Sequence, residues 1–180
     1  MPGGLKDWAQ AKNPKEQAAR HQAHQALREM PVSETGHGVA VPFPFIDRSI
    51  YKAHVSNREM NHRIRLAPHV EIPLKGLMSI QHSVKPRLVD YYIDNPGPDP
   101  TRVHPKTGTP TDVPIIVQIG GKMLLYDGNH RTTAAWLRGE KQIVARFVNL
   151  DIDPGQGGAS SSRDAPASAK SKKSSSSSSS

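Results

Sequence analysis

Cysteine is absent from the 180 residues, which removes disulfides, thiolate metal sites and cysteine nucleophiles together. Long apolar runs are missing too. Nothing spans a bilayer's ~20 residues, and the N-terminal MPGGLKDWAQAKNPKEQAARHQ lacks the apolar middle of a secretory signal, so a cytoplasmic protein without a membrane partner is expected. Aromatic residues make up 5% and hydrophobic residues 35% of the chain, too few for every segment to join a core. Acidic residues are outnumbered, giving a net charge of +8, but the excess is uneven: +4 over residues 1–69, +1 over 70–158 and +3 over 159–180. Any nonspecific attraction to DNA or RNA is therefore expected at the two ends, through a basic arm and a basic tail.

What is present sorts into three segments. Residues 1–65 read as an N-terminal helix followed by an extended arm. Asn13 is placed to cap the helix, with Pro14 at its first position and Glu16 in its first turn. His21 and His24 stand one turn apart but fall short of a zinc ligand set, so a solvated face is expected there. Pro42 and Pro44 argue against a central strand. Arg58, His62, Arg63, Arg65 and His69 form a basic cluster read as a solvated loop, with phosphate contact as the alternative. Residues 154–180, rich in serine, glycine and lysine, have almost nothing to bury and are expected to be disordered.

Residues 66–153 carry the sharper signals. VEIPL reads as a strand, and VKPRLVDYYID as a helix with Ser83 as its N-cap. The stretch NPGPDPTRVHPKTGTPTD is a loop of the kind that borders sites. VPIIVQI and KMLLYD, joined by Gly120-Gly121, predict a β-hairpin; NHRTTAAWLRG predicts a helix stopped by Gly139, and KQIVARFVNLDI a closing strand. The expected class is α+β, a small domain with a mixed sheet and short helices.

The chemistry concentrates in Asp127-Gly128-Asn129-His130-Arg131-Thr132-Thr133. If a strand ends at Asp127 and a helix starts just after it, Gly128 permits the sharp turn, and unpaired N–H groups at the helix start attract phosphate or carboxylate. Arg131 adds a forked donor, Thr132 and Thr133 add hydroxyls, and His130 can donate a hydrogen bond or move a proton near neutral pH. The alternative makes Asp127 an ordinary helix cap, with Arg131 solvated and His130 at the edge. An HNH nuclease reading of Asn129-His130 lacks a matching first histidine.

PIIVQIGGKMLLYDGNHRTTAAWLRGEKQIVARFV resembles the hairpin, turn and helix of the ParB/sulfiredoxin (ParB-like nuclease) family, many of whose bacterial and phage members carry Asp-Gly-His-His-Arg or a close variant. EIPLKGLMSIQHSVKPRLVDYYI is similar to the strand, polar loop and helix preceding that motif. The resemblance covers about half of the chain. It implies a nucleotide phosphate bound at this turn, CTP in ParB proteins and ATP or another adenine nucleotide in sulfiredoxins and free-serine kinases, by Gly128, Asn129, His130, Arg131, Thr132 and Thr133, with Gln81 facing the same pocket. Asn129 stands where sulfiredoxin needs cysteine, so sulfinic acid reduction is excluded. Of the ParB Gly-Glu-Arg-Arg only the glycine and final arginine are kept, which brings the turn nearer the serine-kinase and phage-type variants. Asp127 and His130 are the implied catalytic pair, and Asp127 a single-carboxylate ligand for Mg²⁺. The expected activity is nucleotide-dependent phosphoryl transfer or a ParB-like nuclease; the alternative is a non-catalytic DNA-binding or phage accessory module using the same pocket.

Overall fold

A computed structural model describes residues 13–152. The expected serine-rich tail and the first twelve residues lie outside the described residues. The class is α+β, as expected: the described residues form a mixed five-stranded sheet, a two-stranded sheet and five helices. In chain order these are α1 (Pro14–Glu29), β1 (Val39–Ala40), α2 (Ser49–Lys52), α3 (Asn57–Leu66), β2 (His69–Pro73), β3 (Leu77–Ser79), β4 (Ser83–Val84), α4 (Pro86–Asp94), β5 (Ile115–Ile119), β6 (Lys122–Asp127), α5 (Asn129–Leu137) and β7 (Gln142–Asn149).

The large sheet has the order β2-β7-β5-β6-β3, with β5 and β7 parallel and β5 and β6 antiparallel. The hairpin turns as predicted: Gly120 and Gly121 both have positive φ, the twist that a two-residue link between antiparallel strands requires. Alternation along β5 supplies both faces of the sheet. Ile116 joins Leu125, Ala145 and Ile72 in a cluster closed by Ala135 of α5, while Ile115, Val117 and Ile119 pack with Leu124 and Val148 toward Tyr51, Met60 and Ile64. Each fully buried aliphatic side chain contributes about 1.5–3 kcal/mol, so the hairpin is anchored from two sides.

The segment expected to form an arm is, in its described part, built into this core. Ala23 and Leu27 of α1 are buried against Val89, Ile93 and Ala134 of α4 and α5. Asn13 caps α1 as predicted, accepting from the Lys15 amide at 2.9 Å. His21 is exposed, as expected, whereas His24 is half-buried: Nδ1 meets Asp90 Oδ1 at 2.7 Å and Nε2 meets Asp94 Oδ1 at 2.9 Å. Burial opposes charging this imidazole, but bonds and attraction from the two carboxylates outweigh it, and its pKa is raised. The basic cluster is likewise no loop. Arg58, His62, Arg63 and Arg65 ride on α3, where Ser56 accepts from the Glu59 amide at 3.2 Å and Arg63 pairs with Glu59 at 2.9 Å. Arg65 donates to the Thr107 carbonyl at 2.6 Å. Two apolar side chains one turn apart, Met60 and Ile64, explain why this polar helix packs.

Ser83 does not cap α4. It pairs with Ala40 in the two-stranded sheet, and Lys85 occupies the cap position without a side-chain bond, with Pro86 in the first turn where its missing N–H costs nothing. Among the described residues no helix is long and apolar enough to cross a membrane.

Candidate functional site

β6 ends at Asp127 and α5 begins at Asn129, so the strand-turn-helix predicted around Gly128 is present. Gly128 sits at φ 88°, and a Cβ there would lie 2.8 Å from Pro114 Cα. No residue with a side chain fits without displacing β5's approach. The Thr132 amide donates back to the Gly128 carbonyl at 2.9 Å and closes the first turn. The amides of Asn129, His130 and Arg131 precede that first bond and have no intrahelical acceptor. The positive end of the α5 dipole therefore lies beside Asp127 without a side-chain cap.

A cavity of about 200 Å³ adjoins this end, bordered by Tyr92, Arg102, His104, Asp127, His130 and Arg131. Arg131 is only 9% exposed. One terminal nitrogen donates to the Asp112 carbonyl, and its guanidinium lies 5.0 Å from the centre of the Tyr92 ring, while its Nε–H is buried with no hydrogen-bond partner. Burial pushes its pKa below the ordinary arginine value, with Asp99, Asp127 and Asp112 pulling the other way. Arg102 stands over the same Tyr92 ring at 5.7 Å, so two cations share one aromatic ring at the cavity wall. The proline- and glycine-rich loop does border the cavity, and it is tied in place: His104 N–H donates to Thr109 at 2.8 Å and Thr111 N–H to Arg102 at 3.0 Å. Sequence reasoning named the loop but not Arg102, His104 or Tyr92, because nothing local distinguishes them from other loop and helix residues.

Several predicted roles change once the side chains are placed. Thr132 and Thr133 are fully buried, their hydroxyls have no partner and reach neither this cavity nor solvent, and both amides fall inside the helix ladder. They hold the helix in the fold and do not offer hydroxyls to a ligand. Asn129 is 2% exposed; its Oδ1 accepts from Ser79 Oγ at 2.7 Å, so its side chain fastens α5 to the end of β3 and is not offered to a ligand. His130 Nε2 accepts from the Lys85 amide at 3.0 Å. Burial first, and then the charges of Lys85 and Arg102, lower the His130 pKa, so the ring is held neutral with its basic nitrogen already engaged. That arrangement fixes α5 against the start of α4 and does not suit a proton carrier.

Asp127 keeps one oxygen on the Gly128 amide at 2.7 Å, a bond to its own neighbour that leaves the later first-turn amides uncapped. Among the described residues no group of three or more His, Cys, Asp or Glu side chains converges as a metal site. The donor set around Asp127 fits Mg²⁺ only as a single carboxylate completed by ligand phosphates and water. Gln81 lines a second cavity, about 370 Å³, rather than the one at the start of α5; Asp127, His104 and Thr111 border both.

The chain matches no protein-family model, no curated protein and no solved structure at a significant level.

Proposed function

We propose that the start of α5 binds the phosphate groups of a nucleotide and that Asp127 serves phosphoryl transfer there, as in a ParB/sulfiredoxin-like domain. One observation carries the reading: Arg131, a cation only 9% exposed, borders a cavity at the first turn of α5, whose leading amides have no intrahelical acceptor. A guanidinium held this far from water gains from an anionic partner, since charge-assisted hydrogen bonds to phosphate are about twice as strong as neutral ones. Arg102 adds a second charge on the same wall. Among the described residues Asp127 is the one carboxylate bordering the cavity, and in this reading it accepts the proton of an acceptor hydroxyl or holds Mg²⁺ against the phosphates.

A second reading, a phosphate-binding module for DNA or RNA without catalysis, is favoured by the engaged Nε2 of His130, which leaves Asp127 without a partner base. The two readings separate in one experiment. Thermal unfolding with ATP, CTP, GTP or UTP and Mg²⁺ is expected to show a rise in midpoint with at least one nucleotide, since a ligand of the folded state adds about 2.7 kcal/mol at a hundred times its Kd. Phosphate release or transfer that disappears in Asp127→Ala, while the midpoint rise persists, supports the enzyme. A rise without turnover in the native chain supports the module, and no rise with any nucleotide removes the nucleotide reading.

A further inference from the structure

We infer that the second cavity, bordered by Asn57, Asn61, Gln81 and Tyr126, is a nucleoside subsite that takes the base and sugar of the nucleotide whose phosphates lie at α5. The inference rests on the phosphate reading above. It adds a site where the sequence suggested only Gln81, and it assigns that residue to the neutral end of the ligand.

The two cavities meet at Asp127, His104 and Thr111, so one ligand can occupy both. Their chemistry differs. At the α5 side, two guanidiniums and open amides favour anions. On the far side, three primary amides gather in a space of about 370 Å³, within the size range of small-ligand pockets, which begins at about 300 Å³. Among the described residues none of these three side-chain amides has a hydrogen-bond partner in the protein. Each offers two donors and an acceptor, the mixed set that the edge of a purine or pyrimidine presents in return. Asn57 and Asn61 are one turn apart on α3, which puts both on one helix face, and Gln81 comes from the loop after β3.

The apolar part of the wall suits a flat ring. Tyr51 and Tyr126 stand edge to face at 5.4 Å, and Ile80 and Ile115 are buried behind the polar groups. Arg48 also lies on this wall, and a guanidinium plane stacks on bases. Asp127 stands at the junction, between the polar amides of one cavity and the guanidiniums of the other.

The test uses the full chain in calorimetric titrations with Mg²⁺, comparing tripolyphosphate with the four ribonucleoside triphosphates. At least one nucleotide is expected to bind about tenfold or more tightly than tripolyphosphate, corresponding to about 1.4 kcal/mol from the nucleoside. Asn61→Ala is expected to bring that nucleotide to within about threefold of tripolyphosphate while leaving tripolyphosphate itself unchanged, with Asn57→Ala as the second variant should the first unfold. Tripolyphosphate binding as tightly as every nucleotide overturns the nucleoside subsite and leaves the phosphate reading standing. Equal loss of tripolyphosphate and nucleotide in both variants overturns it as well. No binding of tripolyphosphate or of any nucleotide removes the phosphate reading, and this inference with it.

Discussion

Replacing Asp112 by alanine is expected to lower the unfolding free energy by about 3 kcal/mol or more, because the change strands a buried guanidinium. Asp112 Oδ1 accepts from Arg146 Nε at 2.8 Å and Oδ2 accepts from Arg146 at 3.3 Å, with side-chain exposures of only 11% and 15%. His69 meets the same carboxylate at 3.1 Å from the exposed side. Without Asp112, Arg146 keeps one long bond, to the Ala67 carbonyl at 3.4 Å, and no charge partner. Burial alone would raise the Asp112 pKa, but the Arg146 bonds and charge, then His69, outweigh it and lower it. A carboxyl whose folded pKa is depressed stabilises the fold above its ordinary value of 3.8, and that contribution is lost as pH falls through the folded pKa. Urea unfolding at pH 7 measures the loss; a change below about 1 kcal/mol would show that water reaches the pair freely. The Asp112 carbonyl also receives Arg131, so the same loop anchors the candidate site, and a tenfold or greater loss of nucleotide affinity should accompany the destabilisation.

Gly128→Ala is the second large effect. The residue holds φ 88°, which costs a side-chain-bearing residue about 1–2 kcal/mol, and the new methyl would meet Pro114 at 2.8 Å from Cα and 2.9 Å from Cβ. Overpacking of this kind adds about 1–3 kcal/mol, and the neighbour is main chain, which yields less readily than a side-chain tip. Gly120→Ala is the control: its φ is also positive, but nothing lies within 4 Å of the added carbon, so it should lose only the conformational part. Chemical unfolding of both variants separates the two costs. Equal destabilisation would mean that α5 shifts freely away from β5, and the close approach at Pro114 would then be of no consequence.

The parts of this fold that were legible in the sequence are those whose signals are local. Two apolar runs around Gly120-Gly121, a turn at Gly128 and a stop at Gly139 mark the hairpin and α5 within a few residues. α3 also had a local signal, Ser56 three residues before Glu59, and Met60 and Ile64 at helical spacing; the surrounding arginines hid it. Ser83 looked like a cap because its true partner, Ala40, is distant along the chain. The site divides the same way. The strand-turn-helix and its uncapped amides follow from seven consecutive residues. What the side chains touch does not: Arg131 lies over Tyr92, Asn129 accepts from Ser79, and His130 accepts from Lys85, each a contact between segments far apart in the chain. Thr132 and Thr133 were read as ligands because their hydroxyls suit phosphate, but a helix packed on two sides turns some of its first-turn residues inward, and theirs are the inward positions.

The most direct test of the central claim is a nitrogen-proton NMR titration of the full chain with nucleotide and Mg²⁺, following the amides of Asn129, His130 and Arg131 and the side-chain Nε–H of Arg131. Phosphate held at the start of α5 predicts that these four signals move together and saturate, with the Arg131 Nε–H shifting as its guanidinium meets the anion's charge. Saturable binding that leaves all four unmoved, while signals elsewhere shift, would place the phosphate away from α5.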